Sequence, residues 1–409
     1  MRAPPRRSPP RLNPGRRAAL ETLLAVERGE HAEDALARLA PADPGDRGLA
    51  WHLVLGVLRQ RSALDAVIRV VARRGVSTLD APVSAALRVG LHELRFGRVP
   101  PHAAVDQAVE GVRALGTPHA AGFVNAVLRR QDSVDVPPDE ALGHPAWLVA
   151  RWRARHGADA ADAWMRANNA PASVHVVAKE DPAGVARAFQ HRGMALTPTG
   201  DGVFRVPEGH GNPAEWPGHA EGRWWIMDPA AVAVADLCGP VDGLDVIDTC
   251  AAPGGKSFRL ASRGARVLAT DTDEGRLARL REGAERLGLP VDSRVHDWAA
   301  GALDRRAPVV LVDAPCSGLG VVRRHPDIRW RREESDLAGY AARQRAILAN
   351  AAASVSPGGV LVYAVCSPEP EEGEAVAASL GWPEEARFCN APATDGADVF
   401  QGFRLRAPG

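Results

Sequence analysis

Two cysteines in this chain of 409 residues stand where thiol chemistry can take place. Cys316 closes the sequence Asp313-Ala-Pro-Cys316, Cys366 closes an apolar run, and each directly follows a predicted β-strand. A thiolate is a strong nucleophile, and cysteine also serves as a general acid or base. One such cysteine alone is more often a buried, inert residue. Because the ends of neighbouring parallel strands meet at one edge of a sheet, two thiols beside an aspartate favour a catalytic site that acts on a single substrate.

A glycine-rich loop, Asp248-Thr-Cys-Ala-Ala-Pro-Gly-Gly-Lys-Ser257, joins a predicted strand to a helix. Its ending Gly255-Lys256-Ser257, together with the strand VVLVD at 309–313, is similar to the P-loop of nucleoside triphosphatases. However, Cys250 replaces the first P-loop glycine, and Pro253 removes a backbone N–H that should bind phosphate. The loop therefore suits an uncharged or cationic cofactor better, and a P-loop NTPase in RNA metabolism is the alternative.

Two aspartates near this loop favour a nucleoside cofactor. Asp271 ends the second predicted strand, where a carboxylate can accept hydrogen bonds from both ribose hydroxyls and would repel a triphosphate. Asp297 lies in the turn VHDW and is placed to meet an adenine edge. For each aspartate, a simple turn or cap role is an equally good interpretation.

The composition is that of an ordinary globular protein. The formal net charge is zero, with 45% apolar and 24% charged residues, so the bulk charge does not indicate a nucleic-acid-binding protein. Five cysteines without a Cys-x-x-C sequence argue against a disulfide framework and structural zinc, and we predict no metal. No apolar run reaches the roughly 18 residues that span a membrane, and no signal peptide is apparent. We expect a cytoplasmic monomer.

Composition and periodicity divide the chain into four regions. Residues 1–17 carry six arginines and five prolines, which predicts a disordered basic tail. Helical spacing of apolar residues predicts an all-helical domain over 18–131, and the proline-rich stretch 132–139 is a candidate linker. A helix followed by strands predicts a small α/β subdomain over 140–225, and an α/β domain follows over 226–409.

The last region alternates Val/Ile/Leu-rich strands with helix-length segments, a pattern typical of a doubly wound parallel sheet. The predicted strands are LDVIDTC (244–250), ARVLATD (265–271), PVVLVDAP (308–315) and GVLVYAVCS (359–367). The glycine-rich loop, Asp271 and the two cysteines lie at the carboxyl ends of these strands, where such sheets bind ligands.

Residues 248–257 closely resemble motif I of the Sun/RsmB family of RNA cytosine carbon-5 methyltransferases, which reads D-x-C-A-A-P-G-G-K-[TS]. Further matches follow in the family's order: MDPAA (227–231), TDTDEGRL (270–277), DAPCSGLGVVRRHPDIRW (313–330), and LVYAVCS with PEE (361–372). The helical sequences VPPHAAVDQAVEGVRALG (99–116) and GFVNAVLRR (122–130) resemble the NusB-like domain of bacterial 16S rRNA members. The resemblance implies a Rossmann-like class I methyltransferase domain, preceded by an all-α NusB-like domain and a small α/β insert.

The resemblance also implies a cofactor, S-adenosylmethionine, and a partner, small-subunit rRNA. The residues that would contact the cofactor are Cys250, Ala251, Ala252, Pro253, Gly254, Gly255, Lys256, Asp271, Asp297 and Asp313. By the same resemblance Asp313 would also face the target base. The charge of Lys256 suits it to lower the pKa of a nearby thiol or to contact the base, and a lysine that only caps its own loop is the alternative.

Carbon-5 of cytosine is a poor nucleophile, so a thiolate must first add to carbon-6 before methyl transfer, and a base must then remove the carbon-5 proton. Chemistry alone leaves open which thiol attacks, because DNA cytosine methyltransferases use a Pro-Cys motif, which points to Cys316. The resemblance to the RNA family implies instead that Cys366 is the nucleophile and that Cys316 assists elimination. Val365 stands where the family motif has threonine, so a hydroxyl before the nucleophile is lost.

A basic segment with one tryptophan follows the Pro-Cys motif and favours RNA binding, because arginines bind phosphate while an indole stacks on a base or packs beneath them. Its candidate RNA contacts are Arg323, Arg324, Arg329, Trp330 and Arg331. The target base must be unpaired or flipped out of a helix.

A non-catalytic RNA-binding protein is a second alternative, and amino-group methylation is disfavoured because no aromatic residue closes the sequence Asp313 to Cys316. The aromatics of the family's closing strand are redistributed to Phe400 and Phe403.

Overall fold

The computed structural model describes residues 12–209, 211–390 and 397–409. Within these residues, the chain forms two compact units. The first contains residues up to Ala170 together with Val322–Arg332, and the second contains Pro171–Val321 and Glu333–Gly409. No helix among the described residues has the length and apolar character needed to cross a membrane.

The first unit is all-helical. Its helices are α1 (Pro14–Glu27), α2 (Ala32–Leu39), α3 (Pro44–Arg59), α4 (Arg61–Ala72), α5 (Ala81–Phe96), α6 (Pro101–Ala114), α7 (Ala121–Leu128), α8 (Pro138–Ala141), α9 (Ala146–His156) and α10 (Ala158–Ala167). Helix α5 is central, because every residue from Val83 to Glu93 on it is buried. The prediction of a helical domain is confirmed.

The amino-terminal boundary of this unit differs from the predicted tail. Helix α1 begins at Pro14, and the Asn13 side chain accepts a hydrogen bond from the Arg16 N–H, a standard cap for the first turn. Asn13 also donates to Asp46 of α3. The tail prediction is therefore wrong from residue 13 onward, and residues 1–11 lie outside the described part of the chain.

The carboxyl-terminal boundary also differs from the predicted linker. Helix α8 belongs to the helical unit, since Arg69 pairs with Glu140 and the Ser62 hydroxyl donates to the Glu140 carbonyl. Helices α9 and α10 pack through Trp152 and Trp164, whose ring centroids are 3.9 Å apart. The helix predicted for the α/β insert is thus α9 of the first unit, which extends to Ala170 and also contains α10, a helix that was not predicted.

The second unit contains two sheets. Its elements are β1 (Val174–Ala178), α11 (Pro182–His191), β2 (Thr197–Gly200), β3 (Val203–Val206), β4 (Trp224–Ile226), α12 (Pro229–Asp236), β5 (Asp245–Asp248), α13 (Gly255–Ala261), β6 (Arg266–Asp271), α14 (Glu274–Leu287), β7 (Val291–Val295), β8 (Ala307–Asp313), α15 (Asp336–Ala353), β9 (Val355–Val365), α16 (Glu374–Ala378), β10 (Glu384–Cys389) and β11 (Gln401–Arg406). The smaller sheet is antiparallel, in the order β2-β3-β1-β4.

The larger sheet has the order β10-β11-β9-β8-β5-β6-β7. Strands β5 to β9 are parallel, as predicted, whereas β11 pairs antiparallel with β9 and β10 pairs antiparallel with β11, which makes the sheet mixed. Alternate strand residues enter opposite cores: Val309 and Leu311 pack with helices α12 to α14, while Val310 and Val312 pack with α15 and α16. Helices on both faces confirm the Rossmann-like fold and explain why these strands read as continuous apolar runs.

Candidate functional site

The glycine-rich loop connects β5 to α13 and is held against the end of β6. The Ala251 N–H donates to the Thr270 carbonyl (2.9 Å), and the Ala252 N–H donates to the Asp271 carboxylate (3.3 Å). Asp271 is only 4% exposed and also accepts the Asp273 N–H. The loop and the first predicted nucleoside-binding carboxylate therefore form one rigid corner of the sheet.

Lys256 of this loop is committed to a carboxylate. Its Nζ lies 2.6 Å from Asp313 Oδ2 and 4.9 Å from the centroid of the Phe400 ring. Burial lowers the pKa of Lys256, but the charge of Asp313 and its hydrogen bond, followed by Cys366 and Asp248, outweigh burial and raise it. The lysine therefore stays cationic and is paired with Asp313, which does not fit the phosphate-binding role that a P-loop requires.

Ser257 also departs from the P-loop pattern. Its hydroxyl donates to Asp248 Oδ2 (2.7 Å), and both residues are fully buried beneath the loop. A P-loop serine would instead face a metal ion at the phosphate. Burial raises the pKa of Asp248 to about 7, against the opposing effect of the Ser257 hydrogen bond. Sequence reasoning had assigned no role to this buried acid.

The two predicted catalytic cysteines come together. Cys316 Sγ and Cys366 Sγ are 3.3 Å apart, because β8 and β9 are adjacent parallel strands that end at the same edge. Beyond the strands the loops stay connected, since the Gly320 N–H donates to the Cys366 carbonyl (3.0 Å). The hydrogen bond with Cys366, then burial, then the charges of Cys366 and Glu372 raise the pKa of Cys316. Cys316 is therefore a neutral thiol while Cys366 is unmodified.

The donor set at this edge fits a cationic nucleoside cofactor. Asp271, Asp297 and Asp313 end or follow β6, β7 and β8, and the nearby Lys256 is neutralised by Asp313. Carboxylates of this kind attract an ammonium or sulfonium centre and accept hydrogen bonds from ribose hydroxyls, whereas they repel a triphosphate. The residues present thus suit S-adenosylmethionine.

Asp297 is exposed and has a local role as well. Its carboxylate accepts the Ala299 N–H (2.9 Å), a turn-stabilising bond. The preceding His296 N–H donates to the Asp271 carbonyl (3.0 Å), which places Asp297 next to the first carboxylate. The structure therefore shows the turn role and leaves the adenine contact a prediction.

A buried carboxylate that sequence reasoning missed connects the two cysteine loops. Glu372 Oε1 accepts the Ser317 N–H (2.7 Å), and Glu372 Oε2 accepts the hydroxyls of Ser317 (2.5 Å) and Ser367 (2.6 Å). These serines directly follow Cys316 and Cys366. The available signal was the sequence PEE after the second cysteine, which indicates an acid but not its partners.

The basic segment 322–332 belongs to the helical unit, and its arginines differ in role. Arg329 has no exposed surface, and its guanidinium donates to the carbonyls of Gly143 (2.9 Å) and Val322 (3.0 Å) and to Asn169 Oδ1 (2.8 Å). Burial, then the charge of Arg59, lowers the pKa of Arg329 to about 9. The predicted RNA contact is wrong for Arg329, because a guanidinium enclosed by protein carbonyls cannot reach phosphate.

The other predicted RNA contacts of this segment are only partly buried. The Trp330 indole N–H donates to the Leu58 carbonyl (2.7 Å), and its ring packs against the helical core. Arg331 lies 3.3 Å from Asp327. Arg323 and Arg324 are half-buried, and the Arg323 carbonyl accepts from Arg59 (3.2 Å). Trp330 is therefore an anchor in the helical unit rather than a free stacking platform.

Family models match both units of the chain. The model described as 16S rRNA methyltransferase RsmB/F matches residues 235–406, and the model of the NusB family matches residues 13–132. Relatives that carry the name ribosomal RNA small subunit methyltransferase B match most of the chain. The relative from Vibrio cholerae is 33% identical over 94% of this chain and 94% of its own length, and that from Sodalis glossinidius is 35% identical over 81% and 80%.

Solved structures support the same fold. The crystal structure of PH0851 superposes with a TM-score of 0.81 at 21% identity and covers 99% of both chains. NSun6 from Pyrococcus horikoshii with SFG gives a TM-score of 0.58 at 18% identity, covering 65% of this chain and 98% of its own. At these identities the likeness concerns the fold alone.

Proposed function

Because the chain belongs to the RsmB/F family of 16S rRNA methyltransferases, we propose that it transfers a methyl group from S-adenosylmethionine to carbon-5 of a cytosine in small-subunit rRNA. The observation that carries this proposal is the pair of thiols, Cys316 and Cys366, with sulfurs 3.3 Å apart at the end of a Rossmann-like sheet. Methyl transfer to an amino group or an oxygen needs no thiol, whereas transfer to carbon-5 of cytosine needs a nucleophile and a base.

Cys366 is the nucleophile in this proposal. Its thiolate forms a bond to carbon-6 of cytosine, and the electron pair of the 5,6 double bond makes carbon-5 nucleophilic. S-adenosylmethionine would supply the methyl group that carbon-5 takes, and its sulfonium would thereby become a neutral thioether. Removal of the carbon-5 proton then restores the double bond and breaks the bond between carbon-6 and Cys366 Sγ, which returns the thiolate.

Cys316 accepts the carbon-5 proton as a thiolate, after its own thiol proton has passed to water. The hydrogen bond with Cys366 is the first cause that raises the pKa of Cys316, and the charge of Cys366 adds to it. Both causes end when Cys366 Sγ becomes bonded to carbon, so Cys316 then ionises more readily.

Asp313 and Lys256 act on the target cytosine and on the charge beside it. Asp313 is 29% exposed and accepts from Lys256, whose side chain is 10% exposed. The free carboxylate lone pairs of Asp313 can accept the cytosine amino group, while the buried ammonium stabilises negative charge near Cys366. The loop from Cys250 to Lys256, with Asp271 and Asp297, binds the cofactor.

RNA is placed by the partly exposed arginines Arg323, Arg324 and Arg331, and Trp330 anchors their segment against the helical core. The catalytic pocket can read only one unpaired base, so the helical unit contributes the remaining affinity for structured rRNA.

The test is nucleoside mass spectrometry on small-subunit rRNA incubated with S-adenosylmethionine, both as naked RNA and in the small subunit. The wild type should yield 5-methylcytidine, and Cys366→Ala should yield none. Cys316→Ala should also lose turnover, but it should accumulate a covalent protein–RNA adduct that is visible on a denaturing gel, because the attacking thiol remains and the proton acceptor does not. A different methylated nucleoside, or 5-methylcytidine made by Cys366→Ala, would refute the proposal.

A further inference from the structure

The Glu372 side chain is fully buried, and so are the three side chains that contact its carboxylate, Ser317, Gln344 and Ser367. Gln344 Nε2 donates to Glu372 Oε1 (3.1 Å) and also to the carbonyl of Pro315 (3.0 Å), the residue that immediately precedes Cys316. Among the described residues, no ion pair includes Glu372. Its carboxyl group is therefore held by neutral donors in the interior, an arrangement that is stable only when the donors are well placed.

The backbone of Glu372 is also fixed. Its carbonyl accepts the Tyr363 hydroxyl (2.5 Å) from strand β9, and the Gln401 side chain donates to the carbonyls of Ser367 (2.8 Å) and Glu369 (3.0 Å). The loop from Cys366 to Glu372 is thus attached to the sheet at both ends. A carboxylate on such a rigid loop can position whatever it binds.

We propose that Glu372 is a positioning residue that keeps the sulfurs of Cys316 and Cys366 close together. It does so by accepting hydrogen bonds from Ser317 and Ser367, the residues that follow the two cysteines. The expected effect on catalysis rests on the proposed function, whereas the expected effect on the distance between the two sulfurs does not. Without the carboxylate, the Ser317 N–H and two hydroxyls lose their common acceptor. The loops after β8 and β9 then keep the weaker bond between the Ser317 and Ser367 hydroxyls (3.2 Å) and the bond from the Gly320 N–H to the Cys366 carbonyl (3.0 Å).

A carboxylate suits this position better than an amide. Glu372 Oε2 accepts from two hydroxyls at once, and Oε1 accepts from a backbone N–H and from Gln344. In Glu372→Gln one oxygen still accepts the Ser317 N–H, while the amide NH2 must donate to hydroxyls that have to rotate. The glutamine variant should therefore keep part of the tether, whereas Glu372→Ala should lose all of it.

The distance between the sulfurs can be tested without RNA. Phenylarsine oxide binds two thiols through one arsenic atom, so its affinity depends on whether the sulfurs are close. The wild type should bind one equivalent tightly, and neither Cys316→Ala nor Cys366→Ala should do so. Glu372→Ala should bind at least tenfold more weakly, with Glu372→Gln between the two. Glu374→Gln, an equal charge change at a residue that is 61% exposed, is the matched control and should resemble the wild type.

Methyl transfer supplies the second measurement. Positioning predicts that Glu372→Ala lowers kcat by about 100-fold with KM for rRNA and the Kd for S-adenosylmethionine unchanged, and that Glu372→Gln recovers part of the rate. Equal arsenical affinity in the wild type and Glu372→Ala would overturn the inference, whatever the RNA result. An equal loss of cofactor binding and kcat would also overturn it, since that pattern indicates unfolding. Tight arsenical binding by a wild type that makes no 5-methylcytidine would refute the proposed function and keep the positioning role.

Discussion

Replacing Arg329 by methionine tests whether this arginine anchors the helical unit or contacts RNA. Methionine fills a similar volume but cannot donate hydrogen bonds. The change removes a donor from four oxygen acceptors: the buried carbonyls of Gly143, Asn168 and Val322, and the part-buried side-chain carbonyl of Asn169. An anchoring role therefore predicts a loss of stability in the helical unit.

The expected loss follows from two opposing effects. Hydrogen bonds to a charged group contribute roughly 1.5 to 3 kcal/mol each to the free energy of unfolding. Losing four of them would alone lower that free energy by well over about 5 kcal/mol. Among the described residues Arg329 has no carboxylate partner, so its removal also recovers a desolvation cost of several kcal/mol. The net loss should be about 3 kcal/mol, which lowers the melting temperature of a unit of this size by roughly 6 to 12 °C.

Calorimetry and hydrogen exchange on the full chain provide the assay. Arg329→Met should lower the first melting transition and speed exchange in helices α9 and α10, while peptides from the larger sheet exchange as before. Arg129→Met is the control, because Arg129 is exposed on the helical unit and its replacement should change stability by less than about 0.5 kcal/mol. An unchanged melting temperature combined with weaker rRNA binding would refute the anchoring role and restore the RNA contact.

Two further predictions concern the catalytic unit. Gly320→Ala should cost about 1 to 3 kcal/mol in urea unfolding and reduce methyl transfer, because the new Cβ would overlap the Val399 carbonyl and lie 2.9 Å from the Cys366 carbonyl; equal stability and activity would show that the loops yield freely. Asp248 has a folded pKa of about 7 against an ordinary value of 3.8, so its protonated form stabilises the fold at low pH, and that stability declines as pH rises from about 4 to 7. Relative to Asp248→Asn, the wild type should therefore lose on the order of a few kcal/mol across this window in urea titrations, and parallel pH profiles of the two proteins would contradict the assignment.

The sequence alone predicted the features that depend on neighbouring residues. The loop from Asp248 to Ser257, the Pro-Cys motif and the second cysteine each lie at the end of a predicted strand, and parallel strands bring their ends to one edge. The helical domain was readable for a similar reason, since spacing along one helix shows which face is buried. These features depend on neighbours within a few residues or on a general rule of sheet topology.

Tertiary structure decided the features that depend on distant partners. Arg329 and Arg331 are two residues apart in one basic segment, yet Arg329 is enclosed by carbonyls, whereas Arg331 is partly exposed and pairs with the carboxylate of Asp327. Glu372 contacts Ser317 across 55 positions of sequence, and no periodicity encodes that contact. A sequence shows which groups carry charge or a thiol, but burial and donor geometry, which set how those groups behave, arise only when segments far apart in the chain pack together.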